Sequence, residues 1–145
     1  MAGPTVKFTG KPDNAELAKL YKNCRALIFP AKEDFGMVPI ECMAAGRPVI
    51  CLGSGGTKET VLGASHWNYS NISEADLLEK HHTGVFIKDC SNNNDLLNEL
   101  INSINFFVKY EGCFSTIDCA RQALKFRPQI FFDSWHSLLN KLNLN

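Results

Sequence analysis

The sequence predicts an α/β fold built on a parallel sheet, and three observations point there. Two short, wholly apolar runs, Ala26–Phe29 and Val49–Leu52, are too short for buried helices and suit strands covered on both faces. Stretches with helical spacing of apolar residues alternate with such runs, which implies right-handed crossovers and parallel strands. The chain has 145 residues, 45% of them apolar and 21% charged, which suits one globular domain and is short for two.

Taken in order, Val6–Thr9 alternates like a short strand ending at Gly10. Asp13 then reads as a helix cap, with Glu16 closing a capping box. Leu17, Leu20, Tyr21 and Cys24 follow at helical spacing, so that helix is expected to bury one face. Ala26–Phe29 is a strand stopped by Pro30. A helix is expected from about Val38 to Ala45, ended by Gly46 and Pro48. Val49–Leu52 is the next strand, leading into the glycine-rich Gly53–Gly56. Residues 61–82 are polar and carry no clear period, and the pair His81 and His82 reads as a solvated loop. Val85–Ile87 reads as the last strand. The run Asn92–Asn94 reads as a loop.

Three helices are expected after it, over about 95–142. The first would bury Leu96, Leu97, Leu100, Ile101, Ile104 and Val108 as one stripe. The second is capped by Ser115 and carries Ala120, Ala123 and Leu124. The third starts at Pro128 and lines Phe131, Trp135, Leu138, Leu139 and Leu142 along one side.

Fifteen basic residues balance fifteen acidic ones, which argues against a protein that binds nucleic acid by neutralising its phosphates. No apolar run approaches the roughly 20 residues of a membrane-spanning helix, and Met1–Pro4 has no signal-peptide character. The chain reads as soluble and cytoplasmic. The six cysteines have no zinc spacing and sit mostly in apolar stretches, so buried thiols are expected rather than disulfides. The four histidines form no metal pattern. Two sequons, at Asn68 and Asn71, mean little without a secretory signal.

Ligands of parallel sheets bind beyond the carboxyl ends of the strands. The loop Pro30–Gly36 is the first candidate, because Gly36 permits close backbone approach and the following amides open a helix whose positive pole suits a phosphate. Glu33 and Glu41 flank that mouth. Two carboxylates would repel a phosphate, so they should meet ribose or sugar hydroxyls; the helix dipole alone would also favour acids there. The second candidate, Gly53–Glu59, lacks the Walker A ending and the dinucleotide fingerprint. Its glycines either cradle an anion or merely turn the chain.

The stretch Glu33-Asp34-Phe35-Gly36-Met37-Val38-Pro39-Ile40-Glu41, continued by Ala45-Gly46-Arg47-Pro48-Val49-Ile50, resembles the signature of glycosyltransferase family four, which has the GT-B fold. Val6–Gly10, Glu16–Tyr21, Gly55–Val61 and Thr83–Phe86 extend the likeness over most of the chain, and within the family it is greatest to bacterial mannosyltransferases of surface-polysaccharide synthesis. The resemblance implies a single partial Rossmann-like domain over 1–145, with an incomplete parallel sheet of about four strands flanked by helices: the C-terminal, donor-binding half of a retaining enzyme. It implies Glu33 as the catalytic carboxylate beside the donor sugar, Glu41 as the ribose ligand, and Gly36, Met37 and Val38 as backbone amides to the diphosphate, with Asp34 and Phe35 among the donor-binding residues. Gly10, Lys11 and Asp13 would lie at the base pocket. The donor would be a nucleotide sugar of the GDP-mannose type, the acceptor a glycan or lipid-linked glycan, with no cofactor and no metal. Such an enzyme would act at the cytosolic membrane face.

The same likeness implies what the chain lacks: an acceptor domain, and the family's arginine-lysine pair on the donor phosphates. In a doubly wound order the first two strands lie between the third and fourth. Their loss would open the middle of the sheet, so a homodimer or a separate acceptor-domain subunit is expected. A non-catalytic binding or assembly module derived from a glycosyltransferase is the alternative.

Overall fold

The computed structural model describes residues 3–68 and 73–142. Among them four short strands, β1 (Leu27–Phe29), β2 (Val49–Leu52), β3 (Gly63–Ala64) and β4 (Gly84–Ile87), form one all-parallel sheet in the order β1-β2-β4-β3. Seven helices accompany them among these residues: α1 (Asn14–Asn23), α2 (Met37–Ala44), α3 (Thr57–Thr60), α4 (Glu74–Glu79), α5 (Asn93–Lys109), α6 (Thr116–Leu124) and α7 (Pro128–Lys141). The α/β class and the parallel sheet are as the sequence predicts.

The pleat of β2 divides the core in two. Ile50 and Leu52 join Val85, Ile87, Leu77, Phe107 and Phe114 beneath α5, while Val49 and Cys51 join Cys42, Met43, Cys119 and Ala123 beneath α2 and α6. The α2–α6 contact needs Gly46. Its φ is +76°, and a Cβ there would stand 2.4 Å from Thr116 Cγ2. The buried Gln122 amide of α6 donates to Thr60 O at 2.9 Å, closing the end of α3.

Local signals held. Asp13 accepts from the Glu16 amide at 2.8 Å, with the reciprocal bond present. Ser115 accepts from the Ile117 and Asp118 amides, and Pro128 opens α7. All six cysteines are free, and Cys42, Cys51, Cys113 and Cys119 are buried.

Several expectations need correcting. Val6–Thr9 forms no strand, and Phe8 is 86% exposed; a strand needs a neighbour for its ladder, and none of the described strands lies beside it. Ala26–Phe29 is not covered on both faces. Ile28 is 48% exposed because β1 is the sheet's edge and α5 lies chiefly over β4 and β2. For the same reason α1 buries no residue completely; it rests on α2, with Leu20 in solvent. In α5 the seated face runs through Leu96, Leu100, Ser103, Ile104 and Phe107, whereas Leu97, Ile101 and Val108 are exposed. The stripe was one helical row too wide. Ala123 of α6 is buried but Leu124 is not.

The expected apolar side of α7 exists but meets no core: Phe131 is 64% and Trp135 52% exposed, stacked on each other 6.4 Å apart. His82 is buried rather than solvated, and burial lowers its pKa, while His81 is exposed at φ +50° and pairs with Asp118 at 3.1 Å. Asn92 caps α5 and Asn93 and Asn94 begin it, so that run is not a loop. The unassigned 61–82 stretch holds β3 and α4. Of the two sequons, residues 69–72 lie outside the described residues.

Candidate functional site

The loop leaving β1 turns into α2 through Gly36, whose φ of +84° and ψ of 59° place it in the left-handed region glycine tolerates best. The helix that follows has no side-chain cap and no acidic residue in its first turn. Helices leave their first four amides without intrahelical partners, and Pro39 has no amide to offer. Gly36, Met37 and Val38 thus present their N–H groups at the positive end of α2. An open cleft of about 390 Å³ beside them is lined by Lys32, Glu33, Asp34, Phe35, Gly36 and Met37. The structure therefore gathers five of the predicted residues into one place: Glu33, Asp34, Phe35, Gly36 and Met37. Phe35 is anchored edge-to-face on Phe126 at 5.8 Å, and Lys32 lies 3.7 Å from Asp89.

The glycine-rich loop after β2 packs against the backbone of Glu33 and Asp34 in this segment. The Gly56 amide donates to Glu33 O at 2.7 Å, so it is already engaged. A Cβ on Gly55 would stand 2.5 Å from Glu33 O, and one on Gly56 would stand 2.2 Å from Asp34 O. Of the two readings left open by the sequence, the structure gives these glycines a turning and close-packing role. Thr57, fully buried, donates to Leu52 O and lies within hydrogen-bonding reach of Ser54 O at 3.1 Å, pinning the loop from below. Sequence reasoning missed Gly56 and Thr57 as supports of the Glu33 loop. The only signal was two small residues opening a helix one loop away.

Glu41 is separate from that cleft. It lies in the second turn of α2 and turns toward α1, lining an open concavity of about 500 Å³ with Asn14, Leu17, Tyr21 and Ala44. There the Tyr21 hydroxyl donates to Glu41 Oε2 at 3.1 Å. The pair Glu33 and Glu41, alike in sequence, thus borders two neighbouring hollows. Val38, between them in sequence, is half-buried. Tyr21 carries no sequence signal beyond its place in an apolar stripe, and its hydroxyl is what sequence reasoning missed here.

Gly10, Lys11 and Asp13 belong to a third region. Gly10 has φ +66° with open space around its Cα, Lys11 is exposed, and Asp13 is engaged as the α1 cap. Their neighbours Thr9 and Pro12 line a hollow of about 660 Å³ with Leu20, Asn23 and Cys24 of the α1 end.

The buried thiols are chemically quiet. Burial pushes Cys51 and Cys119 up to about 12, and raises Cys42 further still, so none is a thiolate near neutrality. Among the described residues no group of three or more His, Cys, Asp or Glu is arranged to hold a metal ion. No described helix is long and apolar enough to cross a membrane.

A family model described as "Glycosyl transferases group 1" matches residues 1–105. The chain is 50% identical over 44 residues to the alpha-1,3/1,6-mannosyltransferase ALG2 of Dictyostelium discoideum, a stretch covering 30% of this chain and 10% of that protein. It is 40% identical over 57 residues to an uncharacterized glycosyltransferase of Methanocaldococcus jannaschii, covering 39% and 15%. With the alpha-1,3/1,6-mannosyltransferase ALG2 of Candida albicans it shares 43% over 49 residues, covering 34% and 10%. The matched stretches are thus a small part of each relative's length.

Proposed function

The chain belongs to the glycosyl transferases group 1 family, and from that premise we propose that the mouth of α2 is the donor half-site of a retaining glycosyltransferase. Its donor is a nucleotide sugar of the GDP-mannose type, and the hexosyl group passes to a glycan or lipid-linked acceptor. The observation that carries this reading is the uncapped, acid-free N-terminus of α2 opening into the Glu33 cleft. Fixed dipoles aimed at the diphosphate stabilise the charge that grows on it as the anomeric bond breaks. Glu33, at the cleft wall, meets the donor sugar and steadies its developing positive charge. Glu41 accepts the ribose hydroxyls, and Gly10, Lys11 and Asp13 border the base. No metal or further cofactor takes part.

Transfer also needs an acceptor held in line and water kept out. We assign these to further polypeptide, whether an acceptor domain or a partner subunit, seated beside the free edge of β1. The exposure of Ile28 on that edge and of the unpaired Val6–Thr9 supports this assignment. The same open edge favours the second reading, an assembly module without turnover of its own.

Calorimetric titration with GDP-mannose and UDP-glucose tests the donor site. Saturable binding of GDP-mannose is expected, weakened about 10-fold by Glu41→Ala through the loss of hydrogen bonds to a charged group. Binding of neither donor, or an affinity indifferent to that substitution, overturns the reading. Binding without transfer, even on adding an acceptor domain, decides for the assembly module.

A further inference from the structure

We propose that Tyr21 is a positioning residue for Glu41, holding its carboxylate in the orientation that accepts a ribose diol. The inference rests on the reading of Glu41 as the ribose ligand and adds to it a residue on another helix. Tyr21 sits near the end of α1, with its ring packed against the core formed by Cys42, Met43, Val49 and Cys51. Its hydroxyl reaches the rim and donates to Glu41 Oε2 at 3.1 Å. A ring fixed in a core and a polar tip at the surface make a rigid donor.

Glu41 needs one. It is exposed, and a free glutamate keeps several rotamers that a ligand would have to freeze, at a cost in affinity. An ionised carboxylate offers about four acceptor sites on its two oxygens. With one occupied by Tyr21, the others remain for two adjacent hydroxyls. Burial and the Glu41 carboxylate raise the Tyr21 phenol to about 12, so it remains a donor throughout the neutral range. The concavity shared by Tyr21 and Glu41 is bordered by Asn14, Leu17 and Ala44, whose small or neutral side chains leave the carboxylate as its charged group.

Titration of the full chain with GDP and with 2′,3′-dideoxy-GDP tests this, using Tyr21→Phe, Glu41→Ala and the double variant. Tyr21→Phe keeps the ring in the core, and circular dichroism melting checks that the fold is retained. The expected result is an affinity for GDP lowered about 3- to 10-fold, the weight of one immobilised long side chain. Affinity for the dideoxy nucleotide should be unchanged, and Tyr21→Phe should have no further effect once Glu41 is alanine. Equal weakening of both nucleotides, no change, or a gain in affinity for GDP overturns the positioning role while leaving Glu41 as ligand. If Glu41→Ala itself fails to distinguish the two nucleotides, or the chain binds neither, the ribose reading falls and takes this role with it.

Discussion

In β2 all four residues are buried, whereas in β1, paired to it residue for residue, Ile28 is 48% exposed opposite a buried Ile50. The helices repeat the contrast. Cys119 and Ala123 of α6 are packed against α2, while Phe131 and Trp135 of α7 stack on each other in solvent. Both members of each pair carry an apolar pattern of the right period. Periodicity reports that a face calls for cover; whether cover is present depends on the neighbours the chain brings to it. In the β2–β4–α2–α6 block the sheet faces and the α2–α6 seam are covered. On β1, α1 and α7 apolar faces are left exposed, and the edge of β1 is where the proposed function assigns further polypeptide.

The contrast can be broken or sharpened by measurement. The largest effect is expected at Met43, which is 0% exposed between sheet and helices. Met43→Ala should cost about 2–5 kcal/mol by urea unfolding, enough to threaten a fold of ordinary stability.

A smaller effect is expected with pH, again inside the packed block. Burial of His82 lowers its folded-state pKa below 6.5. The unfolded chain therefore binds the proton first as pH falls. His82 contributes its full stability above about 6.5 and loses it as pH drops from there toward the folded-state value, below which the contribution is flat. The midpoint of unfolding should fall over that window, and His82→Gln should remove this part of the slope.

The smallest effect is expected on the uncovered side: Phe131→Ala should stay within about 0.5 kcal/mol. A loss comparable with that of Met43→Ala would show that α7 is seated on something in solution and would erase the contrast.

Features set by a few adjacent residues were legible in the sequence. The capping box of Asp13 and Glu16, the Ser115 cap and the Gly46 stop all depend on local hydrogen bonds and φ angles. What was not legible depends on distant partners. Strand β3 has only two residues, and its partner Gly84 lies far along the chain; Val6–Thr9 has the pattern of a strand and no strand partner among the described residues. The candidate site divides in the same way. The motif identified Glu33, Gly36 and Glu41 and their family meaning. That the Glu41 carboxylate meets Tyr21 of α1 while the Glu33 carbonyl meets the Gly56 amide depends on the packing of α1 on α2 and of one loop on another, which spacing alone does not encode.

The backbone bond from the Gly56 amide to Glu33 O has a consequence for anyone altering donor preference by exchanging segments with a relative. Two stretches that look independent in sequence, 30–36 and 53–57, are one inheritable unit. A graft of the first alone brings a new loop down on an old one, and a graft of the second that carries a side chain at position 56 would drive a Cβ to 2.2 Å from the carbonyl of Asp34. Recombination points placed within β2 would separate the two halves, while those placed before β1 or after α3 would carry them together.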